Sequence, residues 1–133
     1  MRDQPRIMLI EDDTDLAGLY KMRMEAEGFA VLHCPNGEVA LQMAKKFQPH
    51  LIMLDLMMPR LSGFDVLDIL KNTPELQNVK IIILSAMSQA EDIDKAKELG
   101  ADDYLVKSQV LVADVMNRIR TTLGLPPSPI ENA

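Results

Sequence analysis

Several carboxylates in this sequence stand directly after short apolar runs, where they would be available for chemistry. Three consecutive acids at positions 11–13 follow the run 6–10, and Asp55 follows the run 51–54. Carboxylates that lie close together repel one another and raise one another's proton affinity, unless a cation lies among them. A hard divalent ion such as Mg²⁺ takes oxygen ligands, keeps some of its water and commonly shares its site with phosphate. If the two runs end at the same place in the fold, these acids predict a Mg²⁺ site.

A hydroxyl group and an ammonium group follow two further apolar runs. Ser85 follows residues 80–84, and Lys107 follows residues 103–106. Beside a metal ion, both groups could bind the oxygens of a phosphoryl group. Each residue also has an ordinary alternative, because serine is common in turns and lysine is commonly solvated at a strand end. Only their position relative to Asp55 favours the chemical interpretation.

Alternating strands and helices would bring these positions together. The predicted strands cover residues 6–10, 29–33, 51–54, 80–84 and 103–106. The predicted helices lie within residues 14–28, 36–49, 63–72, 89–99 and 110–123, between residues that cap or break helices. Five such repeats define a doubly wound α/β sheet with parallel strands. Right-handed crossovers place the carboxyl ends of all its strands at one edge, where open α/β sheets bind ligands.

The start of the first helix bears on the number of metal ligands. Thr14 is the predicted cap, and Leu16, Leu19 and Tyr20 follow at helical spacing. The helix dipole favours an acid in this position. We therefore expect Asp13 to belong to the helix start rather than to serve as a third metal ligand.

Composition excludes several classes of protein. The chain has 133 residues, of which 47% are hydrophobic and 26% charged, which predicts one domain with a sizeable core. A net charge of −6 and a pI near 4.8 argue against direct binding to duplex nucleic acid. No apolar run approaches the roughly 18 to 20 residues of a membrane span, and residues 1–5 lack the apolar core of a signal peptide. We expect a cytoplasmic protein without membrane contact.

The remaining reactive side chains and the tail have plain interpretations. Cys34 is the single cysteine, so it cannot form an internal disulfide, and it is predicted to be a small buried filler. His33 and His50 lack the spacing of metal ligands. Residues 124–133 are rich in proline, carry no packing signal and are predicted to be a tail or the start of a linker.

Taken in register, these residues resemble the receiver domain of two-component response regulators. The resemblance covers residues 6–123, with residues 1–5 as an amino-terminal extension. In that family an acidic pair ends the first strand, and the phosphoacceptor lies in an Asp-x-x-Met-Pro…Gly pattern. The hydroxyl, aromatic and lysine positions fall 30, 49 and 52 residues after the phosphoacceptor in this chain. The matching residues are Glu11, Asp12, Asp55, Met58, Pro59, Gly63, Ser85, Tyr104 and Lys107.

The resemblance implies a five-stranded flavodoxin-like sheet of order 2-1-3-4-5 and a phosphoryl-transfer reaction. The phosphoryl group would pass from the phosphohistidine of a sensor histidine kinase, or from a phosphotransfer protein, to Asp55. Mg²⁺ would be held by Asp12, by Glu11 through water, by Asp55 and by the backbone carbonyl of Met57. No other cofactor is implied.

The resemblance also implies a switch. Ser85 and Lys107 would hold the phosphoryl oxygens, and Ser85 would move toward them. Tyr104 would then turn inward and remodel the face formed by the fourth helix, the fifth strand and the fifth helix. The partner at this face would be a downstream protein or an output domain, and apolar Val110 and Leu111 hint at a homodimer formed on phosphorylation.

Two departures from the family pattern lead to further predictions. Many receivers have proline after the lysine, whereas this chain has Ser108. A cis bond before Ser108 would cost about 3 to 4 kcal/mol, against about 0.5 to 1 before proline, so we predict a trans bond or an altered loop. Met57 and Met87 occupy the two positions that flank the site, and neither can orient an attacking water by a strong hydrogen bond. We therefore predict a comparatively long-lived phosphorylated form.

Three alternatives remain open at this point. A flavodoxin-like cofactor binder would need a glycine- and hydroxyl-rich phosphate loop where this chain has acids at 11–13. A Mg²⁺-dependent phosphohydrolase usually has an acid two residues after its nucleophile, which is Met57 here. A pseudo-receiver that acts as an interaction module without phosphorylation would fit the same fold.

Overall fold

Five parallel strands form the centre of the structure, a computed structural model that describes residues 4–130. The strands are β1 (Arg6–Ile10), β2 (Ala30–Cys34), β3 (Leu51–Leu54), β4 (Lys80–Ser85) and β5 (Asp103–Val106). They pair in the order β2-β1-β3-β4-β5, and every pairing is parallel. The predicted flavodoxin-like order is confirmed. Because β1 and β3 are neighbours, the acids that follow the two strands meet at one edge of the sheet.

Helices cover both faces of this sheet. They are α1 (Thr14–Ala26), α2 (Gly37–Phe47), α3 (Gly63–Lys71), α4 (Ala90–Glu98) and α5 (Val112–Thr122), with short 3₁₀ turns at Pro74–Leu76 and Lys107–Gln109. One core cluster joins the sheet to α2, α3 and α4, and the other joins it to α1 and α5. Burial on both faces explains why β1, β3 and β4 contain continuous apolar runs rather than alternating ones. Among residues 4–130, no helix is both long and apolar enough to cross a lipid bilayer.

Side chains before α1, α2 and α3 satisfy their first backbone amides. Asn36 accepts a hydrogen bond from the amide of Val39 at 2.9 Å, as a capping asparagine should. At α1 the cap is Asp13, whose Oδ1 accepts from the amide of Leu16 at 3.1 Å. The prediction that Thr14 is the cap is wrong by one residue. The expectation that Asp13 belongs to the helix start is confirmed.

The residues that α1 buries differ from those that helical spacing predicted. Leu19 is 53% exposed, whereas the helix buries Ala17, Tyr20 and Met24. Both sets satisfy helical periodicity, so periodicity alone could not choose between them. The small side chain of Ala17 faces the sheet, and the larger Leu19 faces solvent.

Residues 124–130, which we call the docked tail, fold back onto the domain. Leu125 packs against the core cluster of α1 and α5, and its amide donates to the carbonyl of Arg120 at 2.8 Å. The hydroxyl of Ser128 donates to Oε2 of Glu27 at 2.5 Å. Residues 124–130 therefore pack on the domain although their sequence carries no packing signal. Residues 131–133, like residues 1–3 of the predicted extension, lie outside the described part of the chain.

The anchor of the docked tail is a buried ion-pair group. The side chain of Glu27 has no exposed surface, and its carboxylate lies 3.2 Å from Arg23 and 3.7 Å from Arg120. Arg120 also donates to the carbonyl of Pro126 at 3.0 Å. Close by, the side chain of Gln4 donates to the carbonyl of Gly28 at 3.2 Å. Both ends of the described chain are thus held at the end of α1.

Cys34 is fully buried at the end of β2, which confirms its predicted role as a filler. Burial raises the pKa of its thiol to about 11 from an ordinary value of 9.0. Because the folded protein holds this proton more tightly than the unfolded chain, the free energy of unfolding should fall as pH rises from about 9 to 11.

We expect Cys34 to be nearly unreactive in the folded protein at pH 8. Reagents cannot easily reach the buried thiol, and little of it is in the reactive thiolate form. Intact mass after treatment with iodoacetamide should show slow modification of the native protein and rapid modification in urea. Met22→Cys, which would place a second thiol at a position that is 68% exposed, is the control that should react under native conditions. Equal rates for Cys34 in native and urea-unfolded protein would contradict its burial.

Candidate functional site

The carboxyl edge of the sheet brings an ammonium group between two buried carboxylates. The Nζ atom of Lys107 lies 2.8 Å from Oε1 of Glu11 and 2.9 Å from Oδ2 of Asp55. Only 3% of Glu11 and 4% of Asp55 is exposed. Burial disfavours the charge of Lys107, but its hydrogen bonds to the two carboxylates outweigh this and raise its pKa. The three residues that were predicted from separate strand ends therefore form one charged group.

Asp55 is held on both of its carboxylate oxygens. Its Oδ1 accepts from the amide of Met57 at 3.0 Å, while Oδ2 accepts from Lys107. Its own amide donates to the carbonyl of Ile10 at 3.1 Å, which continues the pairing of β3 with β1. The sheet fixes the backbone of Asp55, and the loop and Lys107 fix its side chain.

A glycine allows the loop after Asp55 to close tightly. Gly63 is the first residue of α3, and its amide donates to the carbonyl of Leu56 at 3.0 Å. A Cβ atom at this position would overlap the carbonyl oxygen of Asp55 and lie 2.5 Å from the Cα of Leu56. The start of α3 thus approaches the acceptor backbone more closely than any side chain would permit.

Glu11 is the buried acid of the amino-terminal pair. Its Oε2 accepts from the amide of Asp13 at 3.1 Å, and its own amide donates to the carbonyl of Cys34 at 3.1 Å. Burial raises the pKa of Glu11, and the neighbouring charge of Asp55 acts in the same direction, although Lys107 opposes both. The site therefore holds more negative charge than its single lysine offsets.

The acids fit a divalent metal ion. Glu11, Asp12 and Asp55 each offer one carboxylate oxygen, and these atoms lie within 4.8 Å of one another. Asp12 is exposed, so the group opens to solvent on one side, where metal-bound water could lie. Hard oxygen donors, a surplus of negative charge and access to water are what Mg²⁺ requires of a protein site.

The hydroxyl and aromatic residues meet at the loop after β4. Ser85 is fully buried, and its Oγ accepts from the amide of Met87 at 3.3 Å. The hydroxyl of Tyr104 donates to the carbonyl of the same Met87 at 2.7 Å. Burial raises the pKa of Tyr104. Sequence reasoning placed these residues together but missed Met87 as their link, because backbone atoms leave no signature in residue types.

The family model described as the response regulator receiver domain matches residues 7–120. The chain belongs to this family. The receiver domain is 34% identical over 119 residues to the DNA-binding dual master transcriptional regulator RpaA of Synechocystis sp., which covers 90% of this chain and 49% of that protein. It is 35% identical over 118 residues to the DNA-binding response regulator MtrA of Mycobacterium tuberculosis, covering 86% and 50%. The chain spans about half the length of these curated relatives.

Solved receiver domains share the fold. The signal receiver domain of a putative Luxo repressor protein from Vibrio parahaemolyticus matches with a TM-score of 0.84 and 32% identity, covering 92% of each chain. Family membership removes the flavodoxin-like cofactor binder from the alternatives. The relatives are response regulators rather than classical enzymes.

The loop after β5 matches the prediction made for the bond before Ser108. All peptide bonds among the described residues are trans, including the one between Lys107 and Ser108, which confirms that prediction. A 3₁₀ turn over Lys107–Gln109 follows directly. Lys107 still reaches both carboxylates from this loop.

Proposed function

We propose that this chain is the phosphorylatable receiver of a two-component system and that Asp55 is its phosphoacceptor. The main support is the placement of Asp55, whose buried carboxylate lies 2.9 Å from Lys107 and beside two further acids. The phosphoryl donor would be the phosphohistidine of a sensor histidine kinase or of a phosphotransfer protein. We assign residues 6–123 to the receiver domain.

The reaction is an in-line displacement at phosphorus. An oxygen of Asp55 forms the new bond as the bond to the donor's histidine nitrogen breaks, and the nitrogen keeps the electron pair. Lys107 and the hydroxyl of Ser85 bind oxygens of the transferred group and orient it. Mg²⁺, when held by Glu11 through water, Asp12, Asp55 and the backbone carbonyl of Met57, would neutralise charge on that group.

We further propose that phosphorylation acts on the loop after β4 and on α4. Ser85 and Tyr104 both bond Met87, so a shift of Ser85 toward the phosphoryl group would change the loop that Tyr104 holds. Support for a mobile α4 is that it fully buries only Ala96 and has no side-chain cap at its start. Regions with few buried apolar contacts open most easily.

The surface of α4, β5 and α5 would then bind a downstream protein or an output domain. The two relatives are named as DNA-binding regulators, and we assign no direct nucleic-acid contact to this acidic domain, whose net charge is −6. Leu111, which is 70% exposed at the start of α5, would allow this face to form a homodimer on phosphorylation.

Intact mass after incubation with acetyl phosphate tests the proposal. We expect a single phosphoryl adduct that forms with Mg²⁺ and fails to form when EDTA removes it. Absence of an adduct with every small donor and with histidine-phosphorylated kinases would overturn the proposal and support a pseudo-receiver. Repeated turnover of a small phosphate ester without an adduct would instead support a phosphohydrolase.

The two flanking methionines should make the phosphorylated form long-lived. Met57 is 55% exposed beside the acceptor, and a thioether cannot orient water strongly. Met57→Asn and Met87→Glu would each offer the attacking water a hydrogen-bond partner that orients it, and each is expected to speed loss of the phosphoryl group roughly tenfold or more. Loss of the adduct over time, followed by mass, measures the rate. Met22→Asn, on an exposed methionine of α1, should leave the rate unchanged, and failure of either Met57→Asn or Met87→Glu to speed the decay would refute the hypothesis.

A further inference from the structure

His33, which has no part in the proposed reaction, lies against the backbone of the buried acid Glu11. Its Nε2 atom is 2.7 Å from the carbonyl oxygen of Glu11. A carbonyl oxygen can only accept a hydrogen bond, so Nε2 must bear the proton and donate it. The register of β1 with β2 ends at Ile10 and Cys34, and the carbonyl of Glu11 lies beyond it. The histidine side chain therefore supplies a donor where the strand ladder has ended.

This contact completes the fixation of Glu11. Its amide donates to Cys34, its Oε2 accepts from Asp13 and its Oε1 pairs with Lys107. Those three contacts orient the amide and the side chain, whereas among residues 4–130 only His33 binds the carbonyl. The carbonyl belongs to the peptide plane that leads into the next residue.

That next residue, Asp12, depends on its backbone for its position. It is exposed, and within residues 4–130 its carboxylate takes part in no hydrogen bond. Fixing the peptide between Glu11 and Asp12 sets the direction in which the Asp12 side chain leaves the chain. The oxygen of Asp12 lies within 4.8 Å of those of Glu11 and Asp55, so a rotation of this peptide would move it away from them.

We propose that His33 is a positioning residue for the metal site. By donating to the carbonyl of Glu11, it holds the peptide that places the carboxylates of Glu11 and Asp12 for Mg²⁺. This inference rests on the metal site of the proposed function. Groups that orient metal ligands from behind commonly change metal affinity by 10- to 100-fold when removed.

Two substitutions separate the hydrogen bond from the bulk of the ring. His33→Leu removes the donor, whereas His33→Gln keeps an amide N–H at the same number of bonds from Cβ as Nε2. Titration with Mg²⁺ alone, by calorimetry or by amide chemical shifts, gives the dissociation constant. We expect about tenfold weaker binding for His33→Leu and near wild-type binding for His33→Gln. Raising the Mg²⁺ concentration should restore the rate of adduct formation in His33→Leu.

The other histidine provides a matched control. His50 also binds the backbone through its ring, since its Nδ1 accepts from the amide of Arg6 at 2.9 Å, but at the opposite edge of the sheet. His50→Leu should leave the Mg²⁺ affinity unchanged even if it lowers stability. A second measurement needs no metal. Hydrogen exchange of the Asp13 backbone amide, which donates to Glu11, should be faster in His33→Leu than in the wild type.

The outcomes distinguish the two proposals. Equal Mg²⁺ affinity and equal exchange of the Asp13 amide in wild type and His33→Leu would overturn the role of His33 alone. Equal weakening in His33→Leu and His50→Leu would also overturn it, because the effect would then be general. A wild-type protein that bound no Mg²⁺ would overturn the proposed metal site and this inference with it.

Discussion

Asp55→Asn is expected to abolish formation of the phosphoryl adduct with acetyl phosphate and Mg²⁺. An amide oxygen is a poor nucleophile, and the substitution also removes one of the two carboxylates that bind Lys107. Removal of a covalent nucleophile removes the whole reaction path, so the rate should fall by at least about 100-fold. Intact mass under conditions that fully label the wild type measures the effect.

The control for this prediction is another aspartate of the same edge. Asp13→Asn keeps the cap of α1, because asparagine and aspartate cap helices equally well. It should therefore label at close to the wild-type rate. An adduct that survived in Asp55→Asn would contradict the assignment, and peptide mapping of that adduct would identify the true acceptor.

Gly63→Ala is expected to cause a large loss of stability. The new methyl group would overlap the carbonyl oxygen of Asp55 and press on the Cα of Leu56 at 2.5 Å. Both are backbone atoms at the end of a central strand, so neither can move without displacing β3. We expect the free energy of unfolding to fall by about 3 kcal/mol, the upper end of overpacking costs. Urea denaturation followed by circular dichroism measures this difference.

The same substitution at a second glycine is expected to have the opposite effect on stability. Gly18 is an exposed residue within α1, and a Cβ there would meet no atom within 4 Å. Gly18→Ala should therefore stabilise the protein by up to about 1 kcal/mol through helix propensity. Gly63→Ala and the wild type could instead unfold at the same urea concentration and form the adduct at the same rate. The close approach of α3 to Asp55 would then be required neither for stability nor for phosphorylation.

The strands and the site were predictable because their signals are local. Apolar residues fill the later part of four strands, and each is completed by one polar residue, so the sequence marks both the strand and the residue delivered at its end; these residues are Glu11, Asp55, Ser85 and Lys107. Once parallel pairing is assumed, Glu11, Asp55 and Lys107 must share an edge. The contacts of Lys107 with both acids needed further information, because β5 is not a neighbour of β1 or β3 and the reach of the lysine depends on the loop after β5.

Apart from the cap and the buried face of α1, the features that sequence reasoning missed depend on distant residues. The proline-rich tail carried no packing signal, yet Ser128 bonds Glu27, which is 101 residues away. No local pattern shows that Glu27 is buried between two arginines. Similarly, His33 lacks any metal-ligand spacing, and its contact with the carbonyl of Glu11 depends on how β2 ends beside β1.

The position of the docked tail also bears on circular permutation of this domain. Gln4 bonds Gly28 and Ser128 bonds Glu27, so the two ends of the described chain meet at consecutive residues. Domains whose ends lie close together on the surface tolerate circular permutation well. A short linker could join the ends there, and new termini could be opened in a loop at the amino edge of the sheet. Such a permuted domain would keep every strand in its place and leave Asp55 at the far edge, clear of both the join and the new ends.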